Sequence, residues 1–519
     1  MCDVESYCYM PLLEEMGYMP KEKYAGGEEL RLYCESICEK YGLHERAMFQ
    51  TSCKLMEWNE LSKEWMVTVE QRPKGGSKKE VTFRSQYAFM AGGLLSRPKL
   101  PTAVSNGEFK GQIFHTARWD YECTGGSLGD PNMNKLEDKV VGFIGTGATA
   151  VQAVPALARH AKELYIFQRT PSSVDRRDNR PTDAENWKTS IANGPGWWKR
   201  RNQNLNAFLC NAEPKPRTNL VNDAWTGMPS YSALIGGRLV TPDKVPEHIG
   251  RMHALDTPRQ ESIHRRVDEI VKDPATAEAL KPWYPGWCKR PCFHDDYLPA
   301  FNKLNVHLID TQGKGIDGVT ASSVQANGED YPVDILILGT GYASPAASNA
   351  ATRAGMTVKG RGGVDSVETE FGLLTLHAMM SRGFPNLFFP GPRQRGAAPN
   401  ENFTLDIMTT HITYTIAEAE RRKGGGGGGK KVAIEPTEQA TEAYAMAIMS
   451  QAAGGAAMMG CTPSYLNGEG AIDRVTQEQQ MQAARYGIWG KGIADFDQML
   501  EDWRKDGKLE GLEVSVNDA

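Results

Sequence analysis

A chain of 519 residues has room for two or three domains, and 40% hydrophobic with 24% charged residues is ordinary for a globular protein. A net charge of −5 gives no footing for nucleic acid or an anionic membrane surface. No stretch approaches the roughly 20 consecutive apolar residues of a membrane span, and Met1–Glu5 has neither the basic nor the apolar region of a secretory signal.

In chain order, residues 28–42 read as a helix, with Leu30, Leu32, Ile37 and Tyr41 as its apolar stripe and Gly42 as its stop. Trp65–Val69 and Tyr87–Ala91 read as strands. Gly92 and Gly93 end the second, and the proline-containing run Ser96–Pro101 suits a connection between domains. Lys139–Ile144 is an apolar run of the kind buried in a parallel sheet. The turn Gly145-Thr146-Gly147-Ala148-Thr149-Ala150 follows, Val151–Ala161 carries the helical period, and Leu164–Phe167 is a second strand. From about 175 to 285 the chain is polar, rich in Trp and Pro, and resists assignment. Val306–Asp310 and Asp334–Leu338 read as further strands, and 404–422 and 492–505 as helices. Gly424–Gly429 reads as a flexible surface insertion. The ten cysteines show no paired spacing. Cys34-x3-Cys38 and Cys288-x3-Cys292 lack the x2 interval of zinc and redox motifs, so the expectation is reduced thiols, a cytoplasmic location and no metal site.

The strand–turn–helix–strand unit fits a dinucleotide fingerprint. Gly145 permits the sharp turn, Gly147 lets backbone approach a pyrophosphate, and Ala150, small in place of a third glycine, lets the helix pack close on the strand. The helix N-terminal amides then face the phosphates. Where the second strand ends, Phe167-Gln168-Arg169-Thr170 offers no carboxylate for a ribose 2′-hydroxyl. An arginine and a hydroxyl suit a 2′-phosphate, so the expected cofactor is NADPH rather than NADH; the plain alternative for Arg169 is a solvated loop.

Upstream lies Phe109-x-Gly111-x-x-x-His115-x-x-x-Trp119-Asp120. This pattern, placed before a nucleotide-binding unit, resembles the fingerprint of the Baeyer–Villiger monooxygenases. The resemblance continues along nearly the whole chain: Cys2-Asp3-Val4-Glu5-Ser6, Leu95–Pro101, Cys288-Lys289-Arg290-Pro291, Asp334–Tyr342 (with Gly339-Thr340-Gly341 where the family has an Ala-Thr-Gly type), Cys461–Tyr465, and Trp503-Arg504-x-Asp506-Gly507. It implies a flavoprotein that uses FAD, NADPH and O2 to insert one oxygen beside the carbonyl of a small-molecule ketone, or to oxidise a sulfide. It also implies that Arg290 stabilises negative charge beside the flavin and that Asp3 pairs with Arg290. Lys289, Arg169 and Thr170 would hold the 2′-phosphate, and His115 and Trp119 would couple cofactor movement to domain orientation. A pyridine nucleotide–disulfide reductase would need a vicinal cysteine pair beside the flavin, and no suitable pair is present.

The expected fold is α/β, with two Rossmann-like domains with parallel sheets plus helical segments. Residues 1–100 and 311–519 would form a discontinuous FAD-binding portion, 101–134 the linker bearing the fingerprint, and 135–310 the NADPH-binding domain. Residues 1–90 contain no strand–GxGxxG–helix unit for the FAD phosphates. The expectation is therefore a start at an internal methionine of a longer protein, with the first βα unit of the FAD portion missing. The alternative function that this leaves open is a catalytically silent, NADPH-binding remnant. Oligomeric state is not legible.

Overall fold

The computed structural model describes residues 3–344, 349–423 and 430–517; the Gly424–Gly429 insertion lies outside them. The glycine turn belongs to a sheet of five parallel strands: β1 (Gln112–His115), β2 (Val140–Ile144), β3 (Glu163–Gln168), β4 (Val306–Asp310) and β5 (Ile335–Leu338). Their spatial order is β4-β3-β2-β5-β1. Helix α1 (Ala148–His160) crosses from β2 to β3. Because both faces of this sheet are covered, its inner strands read as continuous apolar runs rather than alternating ones. Val141, Phe143, Leu164, Ile166, Ile335 and Ile337 pack there against Val151, Val154 and Leu157 of α1, each side chain contributing about 1.5–3 kcal/mol by burial. The strand order reverses beside β2, so the crevice at the carboxyl ends of β2 and β5 is where such sheets bind ligands.

The sheet reaches beyond the 135–310 span read from sequence, because β1 and β5 come from 112–115 and 335–338. Strand β1 has four residues, none fully buried, and so carries no periodic signal of its own. Between β4 and β5 the chain makes a small antiparallel sheet over residues 318–332.

The rest of the strand structure lies in the flanking parts of the chain. Thr51–Asn59, Glu64–Gln71 and Lys79–Ser85 form an antiparallel meander, to which Thr357–Lys359 adds in parallel. Ala88–Phe89 pairs in parallel with Leu387–Phe388. The stretch that resists assignment from sequence is helical, with α2 (Trp197–Leu209) and α3 (Val245–Ile270) as its longest pieces. Most of the tryptophans in and just after it are core residues: Trp187, Trp197, Trp198, Trp225 and Trp287 pack with Val4, Tyr7, Met10 and Leu13 and with Phe403 and Ile407 of α4 (Glu401–Arg421), whereas Trp283 is exposed. They serve an interface between remote segments, so their spacing follows no local period.

One expectation is corrected. Cys288 and Cys461 are disulfide-bonded, with Cα atoms 5.3 Å apart and 173 residues between them. Local spacing carries no trace of a pairing made only by the tertiary fold. Cys8, Cys34, Cys38, Cys53, Cys123, Cys210 and Cys292 are free thiols.

Candidate functional site

The glycine turn runs from the end of β2 into α1. Gly145 has φ +108°, a conformation that L side chains rarely adopt, and a Cβ there would lie 2.6 Å from the Gly339 carbonyl oxygen. A Cβ on Gly147 would meet open space. No side chain caps α1, so the amides of Ala148, Thr149 and Ala150 face outward from its first turn. Ala150 is fully buried against the sheet. The Thr146 hydroxyl donates to the Thr170 carbonyl at 2.7 Å and so ties the turn to the end of β3.

Beyond β3, Gln168 turns inward and donates to the Ala279 carbonyl, leaving Arg169 on the surface. Three cations from distant segments meet here. Arg169 lies 3.5 Å from Glu469, Lys99 lies 3.0 Å from the same carboxylate, and Lys289 donates to the Pro463 carbonyl at 2.8 Å. Burial pulls Lys289 down to about 8, with Arg169 adding to the effect and Glu469 opposing it. Burial works against ionisation of Glu469, but Lys99, Arg169 and Lys289 together hold it below the usual carboxylate range. A cleft of about 380 Å³ opens beside Arg169, lined also by Pro171, Ala279, Trp283 and Asp310.

The second cluster centres on Arg290. Its Nε donates to Asp3 Oδ2 at 2.6 Å and its Nη2 to Asp3 Oδ1 at 2.8 Å, a two-point pair between residues 287 positions apart in the chain. Nη2 also reaches the Pro399 carbonyl at 3.3 Å. Trp225 touches both partners: its indole N–H donates to the Asp3 carbonyl at 2.9 Å, and its ring lies 5.4 Å from the guanidinium carbon of Arg290. Burial opposes the charge on Arg290, yet Asp3 raises its pKa above the ordinary guanidinium value. Burial likewise pushes the Tyr231 and Tyr465 phenols up, with Arg290 pulling against it. Just behind Asp3, buried Glu5 forms an ion pair with buried Arg201 of α2.

His115 ends β1, where its Nδ1 accepts from the Ala117 amide at 3.0 Å and its ring faces Tyr342 at 5.9 Å. Burial holds its imidazole below the ordinary value, opposed by the Gly341 backbone. Trp119 packs edge-on to Phe114 and donates to Thr124 at 3.0 Å. The structure thus brings Asp3 to Arg290, and Arg169 and Thr170 to Lys289 and the turn, while His115 and Trp119 stay with the sheet's edge strand. Sequence reasoning missed Trp225, Tyr231, Pro399 and Glu469. Only Trp225 carried a signal, as part of a Trp-rich stretch.

Two groups can be tested for fit. A dinucleotide bearing a 2′-phosphate fits: an open Gly147, an uncapped helix end and a tri-cationic patch lie on one rim of the sheet. A flavin fits at its reacting end, where a paired guanidinium stands among buried aromatic side chains. Its pyrophosphate finds no second strand–glycine turn–helix unit among the described residues; the strand Ala88–Phe89 runs into Gly92, Gly93 and the prolines of the connection.

No family model matches the chain. The protein named FAD-binding monooxygenase ausC, from Aspergillus calidoustus, is 46% identical over 521 residues, covering 99% of this chain and 77% of that protein. The polycyclic ketone monooxygenase of Thermothelomyces thermophilus is 45% identical over 526 residues, covering 99% of this chain and 80% of that one. A solved structure with that name matches at a TM-score of 0.93 over 99% of this chain and 81% of its own. A steroid monooxygenase bound to NADP shares the fold, with a TM-score of 0.72 at 21% identity, over 100% of this chain and 90% of its own.

Proposed function

Since the chain belongs to the FAD-binding monooxygenases, we propose that it inserts one oxygen atom of O2 beside the carbonyl of a ketone, with NADPH as the reductant. When bound, the flavin supplies hydride acceptance from NADPH and the reaction with O2. Everything else falls to the protein's own side chains. The turn at Gly145–Ala150 and the N-terminus of α1 hold the NADPH pyrophosphate. Arg169, Thr170 and Lys289 take the 2′-phosphate, and the cleft lined by Pro171, Trp283 and Asp310 takes the adenosine.

Arg290 stabilises the negative charge that develops next to the flavin before oxygen transfer. It can do so because it is a fixed cation in surroundings that partly exclude water, where a preorganised charge acts most strongly. Asp3 and Trp225 set its direction. His115 and Trp119, on the edge strand, couple nucleotide position to the orientation of the flavin-bearing part. No helix among the described residues is long and apolar enough to cross a membrane.

The observation that carries the proposal is the two-point pair of Arg290 and Asp3 in a chain 45% identical, across its whole length, to a polycyclic ketone monooxygenase. By that relative's name, a polycyclic ketone is the proposed substrate, with a sulfide as the softer alternative. The test supplies the protein with FAD, NADPH and 18O2 and a series of one- to four-ring ketones. The expected product is an ester or lactone carrying a single 18O. NADP+ binding with no labelled product from any ketone or sulfide would leave the silent nucleotide-binding reading instead.

A further inference from the structure

The cations proposed above to take the 2′-phosphate meet oxygen atoms of the chain itself. Glu469 places its carboxylate 3.0 Å from Lys99 and 3.5 Å from Arg169, and the Pro463 carbonyl on the same segment takes the Lys289 ammonium at 2.8 Å and Arg169 at 3.3 Å. Three cations drawn from three distant segments therefore converge on oxygen atoms of one short C-terminal stretch. Lys99 is set there by its own backbone, since its N–H donates to the Gly341 carbonyl at the end of β5. Glu469 is held in place by a turn in which its N–H donates to the Ser464 carbonyl at 2.8 Å, and it adopts the left-handed region with φ +59°. A glutamate in that conformation, between Gly468 and Gly470, is an uncommon choice for a residue with only a surface role.

We propose that Glu469 is a displaceable carboxylate that occupies the seat of the NADPH 2′-phosphate and yields it when the cofactor arrives. This rests on the reading of that rim as the NADPH site. A phosphate monoester brings nearly two negative charges and three acceptor oxygens to the same cations, against one charge and two oxygens for the carboxylate, so the exchange runs toward the phosphate. A ribose 2′-hydroxyl brings no charge and leaves the carboxylate seated, so the cost of displacing Glu469 falls on NADPH alone and narrows its advantage over NADH. The Cys288–Cys461 bond and the Ser464 hydroxyl, which donates to the Cys288 carbonyl at 3.2 Å, keep the displaced segment within reach of its seat. Glu469 is thus a specificity-determining residue that acts through competition.

The test compares 2′,5′-ADP with 5′-AMP by calorimetry on the full chain and on Glu469→Gln, with no flavin reaction involved. Removal of the internal competitor should tighten 2′,5′-ADP by about fivefold, the size of one partly exposed ion pair, and leave 5′-AMP unchanged. Unchanged or weaker 2′,5′-ADP binding in Glu469→Gln would show that the carboxylate organises the cations rather than competes for them, and would overturn the proposal. A wild-type chain that binds 5′-AMP as tightly as 2′,5′-ADP would instead sink the NADPH reading beneath it, so the two failures are distinguishable.

Discussion

Lys289 and Arg290 are neighbours in sequence with opposite electrostatic situations. Arg290 has a carboxylate to itself, whereas Lys289 has only a carbonyl for its partner, and its burial, with Arg169 as a neighbour, brings its pKa down to about 8. The ammonium is therefore charged below that pH and neutral above it. Affinity for 2′,5′-ADP should fall as pH rises from 7 to 9, while 5′-AMP binding stays flat, and Lys289→Arg should remove the dependence because a guanidinium keeps its proton. A flat profile for both nucleotides would detach Lys289 from the phosphate. At Arg290 the issue is direction rather than charge. In Asp3→Asn the guanidinium loses its two-point partner but keeps the face of Trp225 and the Pro399 carbonyl. Oxygen transfer should drop about 10²-fold, the scale of one misplaced charge-stabilising donor, with NADPH consumption diverted to hydrogen peroxide. Peroxide yield per NADPH is the measurement that matters. A proportional loss of NADPH oxidation without extra peroxide would assign Asp3 a structural role only.

The β2–turn–α1 element tests whether its glycines serve the fold or the ligand. Gly145→Ala puts a Cβ 2.6 Å from the Gly339 oxygen at φ +108°, so it should cost about 1–3 kcal/mol in backbone strain, visible as a lower denaturation midpoint. Gly147→Ala meets open space and should leave the midpoint alone while weakening NADP+ binding, because the methyl group enters the path of the pyrophosphate. Equal effects of both changes on stability would contradict that division. This element was legible in advance because strand, turn and helix are contiguous and each follows a local rule: β2 and β3 and the helix 148–160 fall where the apolar runs and the glycines put them. The Arg290–Asp3 pair was legible only through the family resemblance, since nothing local links position 3 to position 290. The helical stretch holding Trp225 and Tyr231 stayed unread because its aromatic residues pack against residues 4–13 and α4, so their spacing obeys the contact surface rather than a helical period. Glu469 gave no sign at all. Its meaning comes from Lys99 and Arg169, which lie hundreds of residues upstream.

At the scale of the molecule, the Arg290 site has no single owner. Asp3 comes from one end of the chain, Trp225 from the helical stretch, Arg290 from the segment after it and Pro399 from the approach to α4. The same convergence is repeated behind it, where Asn400 donates to the Cys8 carbonyl and to Asn202 of α2, both at 2.7 Å, and Glu5 pairs with Arg201. Long-range contacts of this kind are costly to assemble, because each closes a loop of many residues before it is rewarded. The Cys288–Cys461 bond removes that cost for a further contact of this kind. It joins the residue before Lys289 to the segment bearing Pro463, Tyr465 and Glu469, across 173 residues. In the chain-entropy account such a link constrains the unfolded state and stabilises the native one by roughly 2–4 kcal/mol. Cys461→Ser should therefore lower the guanidinium midpoint by that equivalent, and a reducing agent should do the same to the wild type but nothing to the variant. A wild type indifferent to reductant would mean that side-chain packing alone holds the two segments, with the sulfur bond adding no measurable constraint.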